Sequence, residues 1–243
     1  MTVQRPDPVS DAAATREATQ QLIEAVSALD PSAVAEPSLL PGWSRGHVLA
    51  HLARNADALV NLLTWARTGE ETPMYASEEA RDKDIEEGAK RPLPEQLDDL
   101  RQSAERFDQA VAAMPPQAWA AQVRTRHGGV LPAAEIPAKR LAEIHLHHVD
   151  LGIGRSCVDL PDDFAAREVA SIIDRLSGRE GIAAVRLHDT ETGETWDIGA
   201  AESPDLTVSG TTRALLAWVS GRGGGEELSR DPDVPLPTLP PLG

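Results

Sequence analysis

Cysteine is almost missing from this chain: Cys157 stands alone among 243 residues. A single thiol excludes an internal disulfide and any metal site built from clustered cysteines. Should the chemistry need a thiol, that thiol arrives with a cofactor. Cys157 follows a predicted helix end and has no neighbouring His or Lys signal, so it reads as a packing residue and not as a nucleophile. Long apolar runs are missing too, and no stretch has the length of a membrane span. The N-terminal MTVQRPDPVSDAAATREATQ lacks the basic head and apolar core of an export signal, so a cytoplasmic location is expected. Positive charge is scarce, with 23 Lys and Arg against 39 Asp and Glu and a net charge of −16. That field repels phosphate backbones and anionic lipid, so neither nucleic acid nor a membrane is an expected partner. An anionic small substrate stays admissible if a local arginine overcomes the field.

What is present suits a globular protein. A hydrophobic content of 41% can fill one large core or two small ones, and at this length two is the more natural division. Leu22, Ile23, Val26 and Leu29 form a helical stripe that Asp11 can cap and Asp30-Pro31 ends. Ser44 caps a second helix, with Val48, Leu52, Leu59 and Leu63 on its stripe, running to Thr68-Gly69. Residues 70–94 are charged and punctuated, holding at most one short helix around Ser77 to Glu87, and a connection of that length is a candidate lid. Leu97, Leu100, Ala104, Phe107, Val111 and Met114 alternate steps of three and four in the clearest helix of the chain, which Pro115-Pro116 stops. Trp119 and Val123 suggest a packed connector, and Gly128-Gly129 with Pro132 a loop. A fourth long helix runs from near Ile136 to Gly152, because Pro137 is tolerable only in a first helical turn. Four long helices joined by links suit an antiparallel bundle.

The stretch LAEIHLHHVDLG from Leu141 to Gly152 carries the chemistry. Glu143 and His147 are four residues apart, which stacks a carboxylate and an imidazole on one helix face, where they can grip one metal ion. Such a pair also arises by chance, or as a plain surface pair. At 100° per residue, Glu143, His147 and Asp150 fall within about 60° of one another, while His145 points elsewhere and His148 lies nearer Leu141. His145 and His148 are therefore the weaker rivals. Asp150 reads as a solvated aspartate near a helix end, with support of the His147 ring as its alternative. The third ligand has to come from another helix, and His51 in VLAHLARNADAL is the best candidate. Three protein ligands leave one coordination position open for reaction.

Past Gly154 the pattern changes. Phe164, Val169, Ile172 and Leu176 share a face of a helix from about Asp162 to Leu176. Ile182 to His188 and Thr195 to Ile198 read as a hairpin around Glu191-Thr192-Gly193, Leu206 to Val208 as another strand. Thr211 or Thr212 caps a helix through Val219, and the proline-rich tail from Asp231 reads as extended. Arg222 lies in the glycine-rich Ser220 to Gly225 loop. Its planar fork suits a carboxylate, although an arginine in such a loop is more often merely exposed. The expectation is an α+β multidomain protein, with residues 1–155 as a helical metal-binding domain and 156–243 as a small α/β domain contributing to the active site.

Four segments carry a resemblance that spans both domains: SLLPGWSRGHVLAHLARNADAL, NLLTWARTGEETPMY from Asn61 to Tyr75, HVDLG from His148 to Gly152, and GRG from Gly221 to Gly223. The chain resembles the mycothiol-dependent maleylpyruvate isomerases, zinc enzymes with an N-terminal DinB-like four-helix bundle and a smaller C-terminal α/β domain similar to sterol-carrier proteins. NLLTWARTGEETPMY is the specific part, since the helix-plus-histidine pattern recurs across DinB-like proteins of other activity. The resemblance implies zinc on His51, Glu143 and His147, and a catalytic and cofactor-binding role for Arg222. Pro137 and His148 depart from the family's pattern. It further implies mycothiol as the thiol cofactor and conversion of maleylpyruvate, a dicarboxylate, to fumarylpyruvate in gentisate breakdown. Addition of the thiolate turns the double bond into a rotatable single bond, and elimination restores the alkene. A monomer is expected. The rivals are a mycothiol S-transferase on the same scaffold and a non-enzymatic protein that binds metal or lipid.

Overall fold

The computed structural model describes residues 7–200 and 203–240. Two compact units divide the chain, Met1–Ile153 and Gly154–Gly243. In the first, α1 (Pro8–Ser27), α2 (Arg45–Thr68), α4 (Leu93–Ala112) and α5 (Ile136–Asp150) form a four-helix ring in the spatial order α1, α5, α2, α4, and α3 (Glu78–Ala89) packs on the outside of α2. No helix among the described residues is long and apolar enough to cross a membrane.

Helix α2 is the axis of this unit because it meets α3, α4 and α5 at once, so Val48, Leu52, Leu59, Leu62 and Leu63 are all buried around it. Ser44 starts it: the Ser44 hydroxyl accepts from the His47 N–H, and His47 Nδ1 accepts from the Ser44 N–H. This reciprocal box satisfies two donors that a helix start leaves open. Gly69, at φ 79°, ends the helix in the left-handed region. In α5, Pro137 occupies the first turn, where no N–H is needed.

Two expectations change in this unit. Asp7, not Asp11, caps α1: its Oδ1 accepts from the Val9 and Ser10 N–H groups at 3.2 Å, while Asp11 is buried in the first turn. Pro8 explains the shift, since a residue with φ already set and no N–H opens a helix readily. The short helix expected around Ser77 to Glu87 is present as α3, which Ser77 caps and which buries Ile85, Gly88 and Ala89. A Cβ on Gly88 would come within 2.8 Å of the Ala50 Cβ, so only glycine permits this approach of α3 to α2. The connector and loop before α5 form a hairpin, β1 (Gln122–Arg124) against β2 (Val130–Pro132), with Val123 facing Leu131 inside. Strands of three residues are too short for alternation to register.

The second unit carries α6 (Asp162–Leu176), α7 (Thr212–Val219) and a four-stranded sheet in the order β4 (Thr195–Ile198), β3 (Val185–Asp189), β5 (Leu206–Gly210), β6 (Ser229–Asp231). β3 and β4 form an antiparallel hairpin around Glu191-Thr192-Gly193, and β5 runs parallel to β3. Asp189 ties these parts together: Oδ1 accepts from the Glu191 and Thr192 N–H groups, and Oδ2 accepts from the Thr212 hydroxyl at 2.5 Å. The tail is not simply extended from Asp231, because Ser229–Asp231 adds an exposed edge strand antiparallel to β5. Exposure on both faces leaves such a strand without a hydrophobic signature.

Candidate metal centre

α2 presents His51 in its second turn, and α5, its neighbour in the ring, presents Glu143 and His147 one turn apart. His51 Nε2 lies 2.9 Å from Glu143 Oε2, and His147 Nε2 lies 3.3 Å from the same oxygen. The two imidazole rings meet edge to face with centroids 4.6 Å apart. Among the described residues these three form a group whose ligand atoms all lie within 4.8 Å of one another. A tetrahedral ion with bonds of ~2.0–2.1 Å separates its ligand atoms by roughly 3.3 Å. The spacings of 2.9 and 3.3 Å from the two imidazoles to Glu143 Oε2 lie at or just below that separation, so two nitrogens and one carboxylate oxygen are placed to share one divalent cation.

Protonation favours the same use at His51 and Glu143. Burial dominates at His51 and pushes its pKa down to about 4, more than the Glu143 contact raises it, so the ring is neutral at pH 7 and has a lone pair to give. At His147 burial also lowers the pKa, but Asp150 and Glu143 together outweigh it and the net direction is up. Glu143 is held well below the usual carboxylate range, since the two histidines overcome the upward push of burial. The Glu143 side chain is 33% exposed, against 9% for His51 and 15% for His147. The cluster is therefore closed behind its imidazoles and reachable past its carboxylate.

Asp150 is not the solvated residue its place near a helix end suggested. It is buried, and its Oδ2 accepts from His147 Nδ1 at 2.7 Å. That contact fixes the tautomer with the proton on Nδ1, leaving Nε2 to face Glu143. Burial comes from non-local packing: the Leu39 N–H donates to the Asp150 carbonyl at 2.8 Å, and Arg45 Nε donates to the Leu151 carbonyl, so the chain before α2 covers this helix end. His145 and His148 are buried elsewhere and do not join the cluster.

Comparison with known proteins adds the family. A family profile described as the mycothiol maleylpyruvate isomerase N-terminal domain matches residues 15–152. The crystal structure of a mycothiol-dependent maleylpyruvate isomerase superposes with a TM-score of 0.89 at 31% identity over 97% of both chains. The chain belongs to the mycothiol-dependent maleylpyruvate isomerase family. A mutant of that enzyme superposes with a TM-score of 0.90 at 30% identity, again over 97% of both chains. YfiT from Bacillus subtilis, described as a probable metal-dependent hydrolase with an unusual four-helix bundle topology, matches 62% of this chain and 87% of its own at 16% identity and a TM-score of 0.52. It shares the bundle fold. A search of curated proteins finds no match.

In this member of the maleylpyruvate isomerase family, Arg222 belongs to the second unit, immediately after α7. The glycines around it have structural reasons of their own. Gly221, at φ 74°, donates to the Trp218 carbonyl, and the Arg222 N–H reaches back to the Ala217 carbonyl at 2.7 Å, which is the Schellman closure of α7. A Cβ on Gly223 would approach the Ala217 Cβ within 2.9 Å. The guanidinium is partly buried, with Nη1 donating to the Ser220 carbonyl at 2.9 Å. Cys157 is buried, as a packing residue should be.

Sequence reasoning passed over several residues near the isomerase-family cluster. Trp43 packs its ring 5.6 Å from His51 and 6.0 Å from His47. Arg140, one turn before Glu143, is fully buried and gives Nη1 to the Leu52 carbonyl and Asn55 Oδ1, both at 2.8 Å. Arg81 comes from α3 and stands against Tyr75. The available signal was an arginine inside an apolar helical stripe, with Leu141 and Ile144 around Arg140 and Ile85 after Arg81.

Proposed function

We propose that this protein converts maleylpyruvate to fumarylpyruvate by mycothiol-dependent cis–trans isomerisation, with zinc held by His51, Glu143 and His147. The reading rests on one observation: the convergence of these three side chains from α2 and α5 in a chain matched over 97% of its length by a mycothiol-dependent maleylpyruvate isomerase. Zinc, when bound, supplies the Lewis acidity that keeps a thiol ionised at neutral pH. Mycothiol supplies the nucleophile, whose reversible addition to a conjugated alkene lets the former double bond rotate.

The chain's own residues prepare this chemistry. Neutral His51 and ionised Glu143 offer lone pairs, Asp150 holds His147 by its other nitrogen, and Trp43 shields the ring of His51. The open edge at Glu143 admits a ligand. Arg222 serves as the cation that neutralises a substrate carboxylate or the charge developing in the reaction, an interaction that strengthens as water is excluded. Residues 1–155 form the metal-binding domain and 156–243 the domain that adds Arg222, and the protein works as a cytoplasmic monomer in gentisate degradation.

Incubating purified protein with maleylpyruvate, zinc and mycothiol, and omitting each in turn, tests the assignment. Fumarylpyruvate should form only when zinc and mycothiol are both present. A stable thiol adduct of some other electrophile, with maleylpyruvate left unchanged, would identify an S-transferase instead. Arg222→Lys should retain zinc and slow turnover about ten- to a hundredfold, because lysine keeps the charge but lacks the bidentate fork. Wild-type kinetics in that variant would remove Arg222 from the reaction.

A further inference from the structure

We infer that Arg81 is the anchor for a substrate carboxylate beside the His51–Glu143–His147 cluster, its guanidinium taking the acid group while the reacting carbons lie nearer the metal ligands. The inference deepens the isomerase reading and rests on it for the identity of the substrate. Arg81 sits in the first turn of α3 on the stripe continued by Ile85 and Gly88, with which α3 packs on α2. An arginine on such a stripe ordinarily lays its stem along the apolar surface and carries its head out to water. This one does not, because its side chain is only 12% exposed.

The hydrogen bonds of the guanidinium are incompletely used. Nη1 donates at 2.7 Å to Asp82, whose own side chain is 66% exposed. Nε is buried and meets no acceptor among the described residues. A buried donor left in that condition destabilises the site, a cost that an incoming carboxylate removes while forming a charge-assisted bond. The guanidinium carbon stands 5.9 Å from the centre of the Tyr75 ring, and a side-chain hydrogen bond joins the Tyr75 phenol to Arg81, so Tyr75 holds the group in place beside its free Nε.

Arg81, Tyr75 and the cluster share one neighbourhood. The charge of Arg81 reaches the His51 imidazole, and both Arg81 and Glu143 act on the Tyr75 phenol, whose pKa is raised chiefly by burial. The other cations close to this region have taken partners: Arg140 is bonded to Leu52 and Asn55, and Arg126 to Glu78 at 3.0 Å. Arg81 is the one among them with a buried donor lacking an acceptor. In a chain of net charge −16 a dicarboxylate meets general repulsion, and a cation at the cluster supplies the local attraction it needs.

The test compares wild type with Arg81→Met, both loaded with zinc. Calorimetry with maleate, in the absence of thiol, reads the subsite directly, with crotonate as the monocarboxylate control. Arg81→Met should keep its zinc and its KM for mycothiol, lose about ten- to a hundredfold in maleate affinity, raise the KM for maleylpyruvate by a similar factor and change kcat less. Crotonate binding should change less than maleate binding. Equal maleate affinity in the two proteins, or no maleate binding by wild type, overturns the inference. Should Arg81→Met fold poorly, Arg81→Lys decides: weakened maleate binding supports the fork, wild-type binding overturns it. If neither protein isomerises maleylpyruvate yet maleate affinity still falls on substitution, the isomerase assignment fails and the carboxylate subsite stands.

Discussion

In Glu143→Ala, zinc should fall to background after dialysis and isomerisation should stop. Glu143 Oε2 is the shared contact of both imidazoles, at 2.9 and 3.3 Å, so its loss removes the one carboxylate of the proposed ligand set and the atom around which the other two side chains are arranged. Zinc binding of about 10–16 kcal/mol spread over four ligands assigns roughly 3 kcal/mol to each, so losing one weakens affinity on the order of a hundredfold or more. Glu143 is a cleaner target than His51. Replacing the buried His51 also empties space beside Trp43 and against His147, mixing a packing loss with the ligand loss. His51→Ala should nonetheless behave alike for zinc and activity. Zinc measured by atomic absorption against protein concentration decides the matter: a Glu143→Ala protein that retains the wild-type metal content refutes this ligand set.

Asp150→Asn should weaken zinc binding by about 10–100-fold, the usual loss when the group behind a ligating histidine is changed. Volume and burial are nearly preserved, so the change acts through charge. The carboxylate accepts from His147 Nδ1 at 2.7 Å and makes Nε2 a better donor to a cation, which an amide does more weakly. Competition against a chromophoric chelator reads the affinity, and thermal unfolding of the metal-free protein checks that the core is intact. An unaltered zinc dissociation constant would reduce Asp150 to a packing role.

These two residues show how far the linear chain could be read. Glu143 and His147 were visible because helical geometry alone brings positions four apart onto one face. Ser44, Gly69 and Thr211 were visible for a related reason, since caps satisfy backbone groups within three or four residues. Asp150 was misread because its burial depends on Leu39 and Arg45, more than a hundred residues earlier. Asp11 was misread because Pro8 could open the helix a turn sooner. Arg222 shows the opposite confusion: the flanking glycines suggested access for a ligand, while Gly221 closes α7 and Gly223 clears Ala217.

The helices of the bundle, most of their ends, the helix and hairpin of the second unit, and the pairing of a carboxylate with an imidazole on α5 are legible in the linear chain. Each of these is written in contacts a few residues apart, where periodicity and capping act. Long-range packing alone brings α2 beside α5 so that His51 comes within 2.9 Å of Glu143, encloses Asp150 behind His147, brings Arg81 in from α3, and pairs β5 parallel to β3 with β6 at the edge. Those outcomes depend on which apolar surfaces meet after the local elements have formed, and residues far apart in the chain carry no periodic trace of that meeting.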